Sequence, residues 1–150
     1  MHPGIEKADR EDLLAILRLQ KTVFYEAGVR YKKPDMQQLT QTIEELIEEW
    51  RNSVILKTAV DGEIVGSVRG RLRGGGCYVG KLIVHPDHRN RGIGSRLMAA
   101  VEEEFDVKVF ELTTAHLEKS IPLYERLGYR IIGREKVTDD FILIHMRKEK

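Results

Sequence analysis

Residues 77–95, which read CYVGKLIVHPDHRNRGIGS, decide how the rest of the chain is interpreted. The first part is an apolar run, which predicts a strand that ends near Val84. Pro86 follows it, and Gly92 and Gly94 then stand at the start of a helical repeat. The apolar positions of that repeat are Ile93, Leu97, Ala100, Val101 and Phe105. The stretch therefore predicts a strand, a turn and a helix that begins at Gly92 and ends near Phe105.

The predicted helix N-terminus has the features of an anion-binding site. Glycines leave the backbone amides accessible, and the first four N–H groups of a helix have no partner within it. The helix dipole adds about half a positive charge at this end. Arg89 and Arg91 flank the turn, and arginine offers planar, permanently charged donors. Together these features favour a phosphate ligand.

The other elements follow from periodicity and turn residues. Before the central stretch we expect a short strand within residues 3–8 and a first helix from Asp9 to about Phe24. Breaks at Gly28 and Pro34 separate it from a second helix over Leu39–Trp50. Two strands follow, Val54–Val60 and Glu63–Leu72, joined by a turn at Asp61-Gly62. After it we expect a strand over Lys108–Thr113, a helix within residues 117–127 starting near Glu118 or Lys119, and a hairpin of Tyr129–Val137 and Phe141–Met146. The hairpins favour antiparallel pairing, which argues against a dinucleotide-binding unit of alternating strands and helices. Ser95-Arg96-Leu97 also lacks the third glycine of that fingerprint.

Composition limits the classes of function. A length of 150 residues predicts one domain over residues 1–150. With 25 basic and 24 acidic side chains the net charge is +1, which favours neither nucleic acid nor an anionic membrane as partner. The lack of a long apolar run and of a signal segment predicts a cytoplasmic protein. Cys77 is the single cysteine, so we expect no internal disulfide and no multi-cysteine metal site, and we name no metal ligands.

Three motifs carry a resemblance to a known family. Residues 89–94, Arg-Asn-Arg-Gly-Ile-Gly, match the pattern Arg/Gln-x-x-Gly-x-Gly/Ala. Val84-His85-Pro86 matches a Val-x-Pro signature at the end of the preceding strand, and residues 123–129, Leu-Tyr-Glu-Arg-Leu-Gly-Tyr, match Leu-Tyr-x-x-x-Gly-Phe/Tyr. In these motifs and in their order the chain resembles the GCN5-related N-acetyltransferase (GNAT) superfamily.

The resemblance implies a fold, a reaction and a set of site residues. The fold would be an α/β acyltransferase fold with a mixed, mostly antiparallel sheet and helices on both faces. The reaction would be transfer of an acetyl group from acetyl-CoA to an amine. The implied cofactor-binding residues are Leu82, Ile83, Val84, Arg89, Asn90, Arg91, Gly92, Ile93, Gly94 and Ser95. A backbone N–H of Ile83 or Val84 would stabilise the acetyl oxygen.

Tyr124 corresponds to the family tyrosine that acts as general acid or hydrogen-bond donor to the leaving thiolate. A phenol with a pKa of about 10 is a weaker acid than a thiol of about 8.5. Hydrogen bonding to the sulfur is therefore the safer description of its role.

The chain departs from the family at the general base. Many relatives carry a glutamate on the fourth strand, where this chain has Gly80 and Lys81. The substitutes that remain open are Glu26, Tyr78, His85 and His116, or an acceptor amine of low pKa. Lys81 would repel a cationic amine if it projects into the cleft, and would then favour an anionic acceptor or bind a cofactor phosphate; the alternative is an ordinary solvated lysine.

The acceptor would be a small-molecule amine or a peptide. In the family the segment between the first two helices shapes the acceptor pocket, which makes Tyr25, Glu26, Tyr31 and Lys32 candidate substrate contacts. The resemblance also allows a homodimer. The missing glutamate leaves a second hypothesis open, in which the fold is a non-catalytic acyl-CoA sensor or interaction module.

Overall fold

The structure is a computed structural model that describes residues 2–150. The strands are β1 Ile5–Lys7, β2 Val54–Val60, β3 Glu63–Arg73, β4 Gly76–Val84, β5 Val109–Ala115, β6 Arg130–Thr138 and β7 Phe141–Glu149. The α-helices are α1 Leu13–Arg30, α2 Gln37–Thr40, α3 Ile43–Asn52, α4 Ile93–Glu103 and α5 Ile121–Arg126. Short 3-10 turns lie at Arg10–Asp12 and Pro86–His88.

The strands form one mixed sheet in the order β1-β2-β3-β4-β5-β7-β6. Within residues 2–150, β4 and β5 run parallel and every other neighbouring pair is antiparallel. At the predicted hairpin turn, Asp61 has φ 52° and Gly62 has φ 80°, and positive φ at both central residues is what a type I′ turn requires. The predicted mixed, mostly antiparallel α/β fold is confirmed.

The parallel pair separates soon after it begins. Within the described chain, β4 and β5 are paired at Cys77–Phe110 and Tyr78–Glu111, and the strands diverge beyond these residues. On the other side of β4 the register shifts, so that two residues, Lys81 and Leu82, lie opposite Val68 of β3. Such a bulge bends the strand and interrupts the alternation of side chains, so that the consecutive residues Gly80 and Lys81 lie on the same face of the sheet. The sheet is therefore open at its centre.

Helices cover both faces of the sheet. On one face α4 lies against β3 so closely that a Cβ added to Gly70 would stand 2.7 Å from the Phe105 ring and 2.9 Å from a methyl of Val101. On the other face α1 and α3 enclose a separate apolar cluster that includes Leu13 and Leu46. None of the helices in residues 2–150 is long and apolar enough to cross a bilayer. The predicted arrangement of helices on both faces is confirmed.

The predicted break at Gly28 is wrong. Gly28 lies inside α1, which continues to Arg30, and a Cβ at this position would approach Leu39 Cδ1 to 2.5 Å. The glycine allows α2 to pack closely against α1 and does not end the helix. The predicted second helix over Leu39–Trp50 is also wrong, because Gln41 and Thr42 separate α2 from α3. Thr42 Oγ1 accepts a hydrogen bond from the Glu45 amide at 3.1 Å, which fixes the start of α3.

The later boundaries shift by a few residues. The third predicted helix ends at Glu103 rather than Phe105, and the following strand runs from Val109 to Ala115. The helix predicted near Glu118 begins at Ile121, so Pro122 lies in its first turn, where a missing N–H is harmless. These shifts leave the element order unchanged.

Replacement of Gly70 by alanine tests the contact between α4 and β3. We expect Gly70→Ala to lower the free energy of unfolding by about 1–3 kcal/mol, because the added methyl must displace Phe105 and Val101. Gly133→Ala is the matched control, since its Cβ would come no closer than 3.9 Å to His145. Urea denaturation of both variants measures the difference, and equal midpoints would contradict the packing described here.

Candidate functional site

The N-terminus of α4 is an open set of backbone amides. Gly92 is its N-cap with φ 79°, and no side chain among residues 2–150 caps its first turn. A Cβ added to Gly92 would meet no atom within 4 Å, although its φ is one that favours glycine. The unpaired N–H groups and the helix dipole therefore remain available to an anion.

Gly94 allows side chains of α5 and β4 to approach the first turn of α4 closely. A Cβ at Gly94 would lie 3.3 Å from Leu123 Cδ2 and 3.7 Å from Leu82 Cδ2. The side chains of the predicted cofactor-binding motif differ in their exposure. Arg89, Asn90 and Arg91 are exposed, Gly94 and Ser95 are half-buried, and the side chain of Ile93 is buried in the core. A glycine-lined cradle, free amides and two exposed arginines fit the diphosphate of a coenzyme A.

The three predicted residues of β4 lie beside this cradle in different orientations. Leu82 approaches Gly94, as the distances above show, whereas Ile83 is 1% exposed and pairs with Ser67. Val84 pairs with Gly66, the glycine that faces α4. The His85 amide donates to the Val65 carbonyl at 2.7 Å. Because successive amides of a strand point to opposite edges, the Val84 N–H points toward the gap between β4 and β5.

Tyr124 lies on α5 and is buried, with 8% of its surface exposed. Burial raises the pKa of Tyr124 to about 12, and the charges of Glu118 and Tyr78 act in the same direction against a hydrogen bond with Ser120. The phenol is therefore neutral at physiological pH. It can donate a hydrogen bond, but it is a poor source of a free proton.

A cleft of about 350 Å³ lies on the opposite face of the sheet, where α1 and α3 pack. Its volume is at the lower end of small-molecule pockets. The lining includes Glu49, Arg69, Arg71, Tyr78, Lys81 and Thr113. Lys81 faces this cleft together with Gly80, whereas Leu82 faces Gly94 and the first turn of α4. The two sites therefore lie on opposite faces of β4.

A buried arginine organises the floor of the cleft. Arg69 is 3% exposed, and its Nη1 donates to Glu49 Oε1 at 2.9 Å and to Gln41 Oε1 at 3.3 Å. Its Nη2 donates to Gln20 Oε1, and Gln20 Nε2 in turn donates to Gln41 at 3.1 Å. A buried guanidinium requires partners of this kind. The network therefore connects α1, α3 and β3.

Glu49 also attracts a second cation. Lys81 Nζ lies 3.7 Å from Glu49 Oε1, with 17% of the lysine side chain exposed. Burial by itself would raise the pKa of Glu49, but Arg69 and Lys81 outweigh it and hold that pKa below 4.5. Burial lowers the pKa of Lys81, with Glu49 opposing the shift. Glu49 is thus a carboxylate bound by cations, which makes it a weak base.

Tyr78 supports two more arginines at the rim. The guanidinium carbon of Arg71 lies 5.2 Å from the Tyr78 ring centroid, and that of Arg73 lies 4.0 Å from it. Both distances are within the range of cation–π contacts. Arg71 lines the cleft itself, so its planar donors are oriented at the edge of the site.

A polar chain leads from the cleft to the solvent. Thr113 Oγ1 lies 3.1 Å from His145 Nδ1, and His145 Nε2 lies 3.3 Å from Glu135 Oε1. Glu135 is exposed on β6. A proton can move along such a chain because both Thr113 and His145 can accept and donate hydrogen bonds.

The candidate substrate contacts do not gather at this cleft. Tyr25 and Glu26 were expected in a loop but lie on the exposed surface of α1. Tyr31 is 1% exposed, and its hydroxyl donates to Glu118 Oε2 at 2.6 Å and accepts from the Leu117 amide at 3.2 Å. These hydrogen bonds of Tyr31 connect the end of α1 to the segment before α5. Lys32, which has φ 53°, is exposed at the turn that follows.

The candidate general bases do not lie together at the cleft either. Of Glu26, Tyr78, His85 and His116, Tyr78 lines the cleft. His85 Nδ1 accepts from the Asp87 amide at 3.1 Å, and His116 Nδ1 accepts from the Ile142 amide at 3.2 Å. Both histidines therefore have local structural partners.

Sequence reasoning missed Glu49 and Arg69. Glu49 lies three positions after Leu46, on the border of the apolar face of α3, and Arg69 stands in a run of small and apolar residues on β3. A charge in such a run is a signal that an acidic partner is needed, but the pattern does not say which one.

Comparison with known proteins identifies the family. Residues 21–150 match the family described as "Acetyltransferase (GNAT) domain". The chain therefore belongs to the GNAT family of acetyltransferases, and the resemblance seen in its motifs is confirmed.

Individual relatives agree with this assignment. An acetyltransferase of Pectobacterium atrosepticum is 35% identical over 86 residues, which cover 53% of this chain and 59% of that relative. A GCN5-related N-acetyltransferase from Rhodopseudomonas palustris superimposes with a TM-score of 0.82 at 16% identity, covering 100% of this chain and 97% of the other. The PaiA N-acetyltransferase from Thermoplasma acidophilum, solved with coenzyme A, superimposes with a TM-score of 0.72 at 15% identity, covering 97% and 98%. The two solved structures are similar to this chain in fold.

Substitution of Glu49 tests the ion pair at the floor of the cleft. We expect Glu49→Gln to lower the free energy of unfolding by about 3 kcal/mol at pH 7, because Arg69 would stay buried without a counter-charge. Glu48→Gln is the control, since Glu48 is exposed and pairs with Arg51 at the surface, and its effect should stay within about 0.5 kcal/mol.

The same pair predicts a pH dependence. The pKa of folded Glu49 lies below its unfolded value of 4.5, so its stabilisation is present above about pH 4.5 and is lost as the pH falls through the folded pKa. Denaturation midpoints measured from pH 7 to pH 3 should fall more steeply for the wild type than for Glu49→Gln. Parallel curves would contradict this account of the pair.

Proposed function

We propose that this protein is an enzyme that transfers an acetyl group from acetyl-CoA to a primary amine. The proposal rests on the open N-terminus of α4. This terminus and the polar cleft lie on opposite faces of the sheet, at the place where β4 and β5 separate. A cofactor held by the α4 amides can reach the gap between β4 and β5 from one face. An acceptor in the cleft can reach it from the other.

The residues of the cradle would hold the cofactor through charge and backbone donors. Arg89 and Arg91 would bind phosphate oxygens, and the first amides of α4 would bind the diphosphate. Leu82 would border the pantetheine arm. The presence of coenzyme A in the related PaiA structure supports this assignment.

Bound acetyl-CoA would supply a thioester, whose acyl carbon forms a bond to the amine nitrogen while the carbon–sulfur bond breaks, giving an acetamide and coenzyme A. The Val84 N–H points into the gap and would stabilise negative charge on the acetyl oxygen. Tyr124 would stay neutral and donate a hydrogen bond to the departing sulfur. Its raised pKa favours this role over full proton transfer.

The proton of the amine needs a separate route. Glu49 is bound by two cations, so it is a poor acceptor for that proton. We assign the route to Thr113 and His145, which connect the cleft with exposed Glu135. The cytoplasmic location, the single domain and the homodimer stay predictions from the sequence.

Substitution of the two motif arginines tests cofactor binding. We expect the double variant Arg89→Gln, Arg91→Gln to raise the dissociation constant for coenzyme A by about 10- to 100-fold, as expected for the loss of two charge-assisted hydrogen bonds. Isothermal titration calorimetry at several salt concentrations measures the change. Arg10→Gln is the control because Arg10 is exposed in the turn before α1. Equal affinities in all three proteins would overturn the proposed cradle.

Substitution of Tyr124 tests catalysis. We expect Tyr124→Phe to lower kcat by about 10- to 100-fold with little change in the KM for acetyl-CoA, because the lost hydrogen bond forms with developing charge. Tyr129→Phe is the matched control: its hydroxyl donates to buried Glu102 at 2.8 Å, so stability should fall while kcat is kept.

The same assay separates enzyme from sensor. If coenzyme A binds but no amine, amino acid or peptide is acetylated, the non-catalytic hypothesis is favoured. An active Tyr124→Phe with unchanged kcat would remove Tyr124 from the mechanism.

A further inference from the structure

We propose that the acceptor carries an anionic group, a carboxylate or a phosphate, in addition to the amine that is acetylated, and that the cleft between α3, β3 and β4 binds this group. The inference rests on the proposed function and specifies its substrate class. It comes from the charge balance of the cleft, the burial of its cations and the residue at position 80.

The cleft has more positive than negative charge. Arg69, Arg71 and Lys81 line it, and Glu49 is the carboxylate among its lining residues in the described chain. Glu49 is already bound to Arg69 at 2.9 Å and lies 3.7 Å from Lys81. One carboxylate cannot neutralise three cations. An acceptor that brought only a second positive charge would be repelled, whereas an anionic group would complete the pairing.

The burial of two of these cations strengthens the effect. The side chains of Arg69 and Lys81 are 4% and 17% exposed, so solvent and salt screen their charges poorly. The lowered pKa of Lys81 has burial as its main cause, which indicates that Glu49 compensates its charge incompletely. An anion that entered the cleft would relieve this cost.

Arg71 is placed to contact the anion directly. Among residues 2–150 no carboxylate forms an ion pair with Arg71, and its guanidinium carbon lies 5.2 Å from the centroid of the Tyr78 ring. Ring contact limits the rotamers of the side chain and leaves its N–H groups free. A planar fork of this kind matches the two oxygens of a carboxylate or a phosphate.

Gly80 explains why the charge is unbalanced. It pairs with Arg69 across β3 and β4 and lies in the cleft lining. A Cβ at this position would meet the Tyr78 ring at 3.5 Å, which is an ordinary contact, and the φ of Gly80 is not in the left-handed region. A side chain is therefore sterically tolerated here. An acidic residue at position 80 would reduce the net charge of the cleft from +2 to +1, so Gly80→Glu should weaken the preference for an anionic acceptor.

Acceptors that differ only in the anionic group test the proposal. We would measure kcat/KM for a series of ω-amino acids of increasing length, each against its own amide, and for O-phosphoethanolamine against ethanolamine. A remote carboxylate changes the pKa of the amine little, so the comparison isolates binding of the anion. We expect at least one acid or phosphate to exceed its neutral partner by about 10-fold or more, and the better of the two series identifies the anion.

Variants connect the preference to this cleft. Arg71→Gln and Lys81→Met should each reduce the ratio of anionic to neutral acceptor by about 10-fold or more, and Gly80→Glu should shift the preference toward neutral and cationic amines. Arg10→Gln, the surface control, should leave the ratio unchanged. Because Arg71 is exposed, Arg71→Gln is expected to fold, and its melting temperature can be compared with the wild type.

A binding measurement distinguishes failure of the inference from failure of the proposed function. The N-acetylated acid and its amide are titrated into the coenzyme A complex by calorimetry. If amines are acetylated but acids and phosphates have no advantage, the anionic acceptor is wrong and the enzyme remains. If nothing is acetylated but the acid binds more tightly through Arg71, the anion site stands and the transferase function fails. If neither advantage is seen, both are overturned.

Discussion

The separation of β4 from β5 is the constraint on which the rest of the site depends. In a closed sheet the backbone groups of residues 79–84 would pair with a neighbouring strand, because unpaired buried N–H and C=O groups are costly. Here the ladder between β4 and β5 stops at Tyr78 and Glu111. The freed edge of β4 therefore needs polar partners. A ligand that inserts between the strands can supply them, so the cost of opening the sheet is offset when the site is filled.

The bulge at Lys81 divides this opening into two chemically different faces. Lys81 has φ 48°, an uncommon value for a residue with a side chain, and such strain often marks functional sites. Tyr78 and Gly80 line the cleft, so simple alternation would turn Lys81 toward α4 and Leu82 toward the cleft. The extra residue reverses this, and Lys81 faces Glu49 while Leu82 faces Gly94. Positive potential arises by different means on the two faces. Near α4 it comes from backbone dipoles and from the exposed side chains of Arg89 and Arg91, and in the cleft it comes mainly from the buried side chains of Arg69 and Lys81.

The sequence predicted the elements that local chemistry determines. Asp61-Gly62 specifies a tight hairpin by itself, and the pair Gly92 and Gly94 before an apolar repeat specifies the α4 terminus. Gly28 shows the limit of such rules. As a local signal it indicates a helix break, whereas in the structure it permits close packing of α1 against Leu39. Tertiary contact decided between the two uses of glycine, and it is not visible in a local pattern.

The polar floor of the cleft could not be predicted from the sequence for the same reason, because it depends on tertiary contacts. Arg69 finds Glu49 and Gln20 at separations of 20 and 49 residues along the chain, on two different helices. Neither helix contains a sequence motif that predicts the contact with Arg69. The family motifs also gave no help, because they describe the cofactor side of the sheet. On the acceptor side, the resemblance implies a glutamate on the fourth strand, where this chain has Gly80 and Lys81.

That departure is compatible with catalysis if the cleft itself lowers the pKa of the bound amine. A positive charge about 6 Å away in a medium of effective dielectric constant about 20 opposes the ammonium form by about 3 kcal/mol, or two pKa units. An amine with a pKa of about 10.4 would then be neutral about a hundred times more often at pH 7. Lys81 and Arg71 can exert this effect, while an anion on the acceptor keeps the substrate bound despite it. A strand-four glutamate would do the opposite, since it would stabilise the ammonium and then have to accept its proton. In this chain, therefore, the cations of the cleft can both select the acceptor and prepare its amine for attack, with Thr113 and His145 left to carry the proton away.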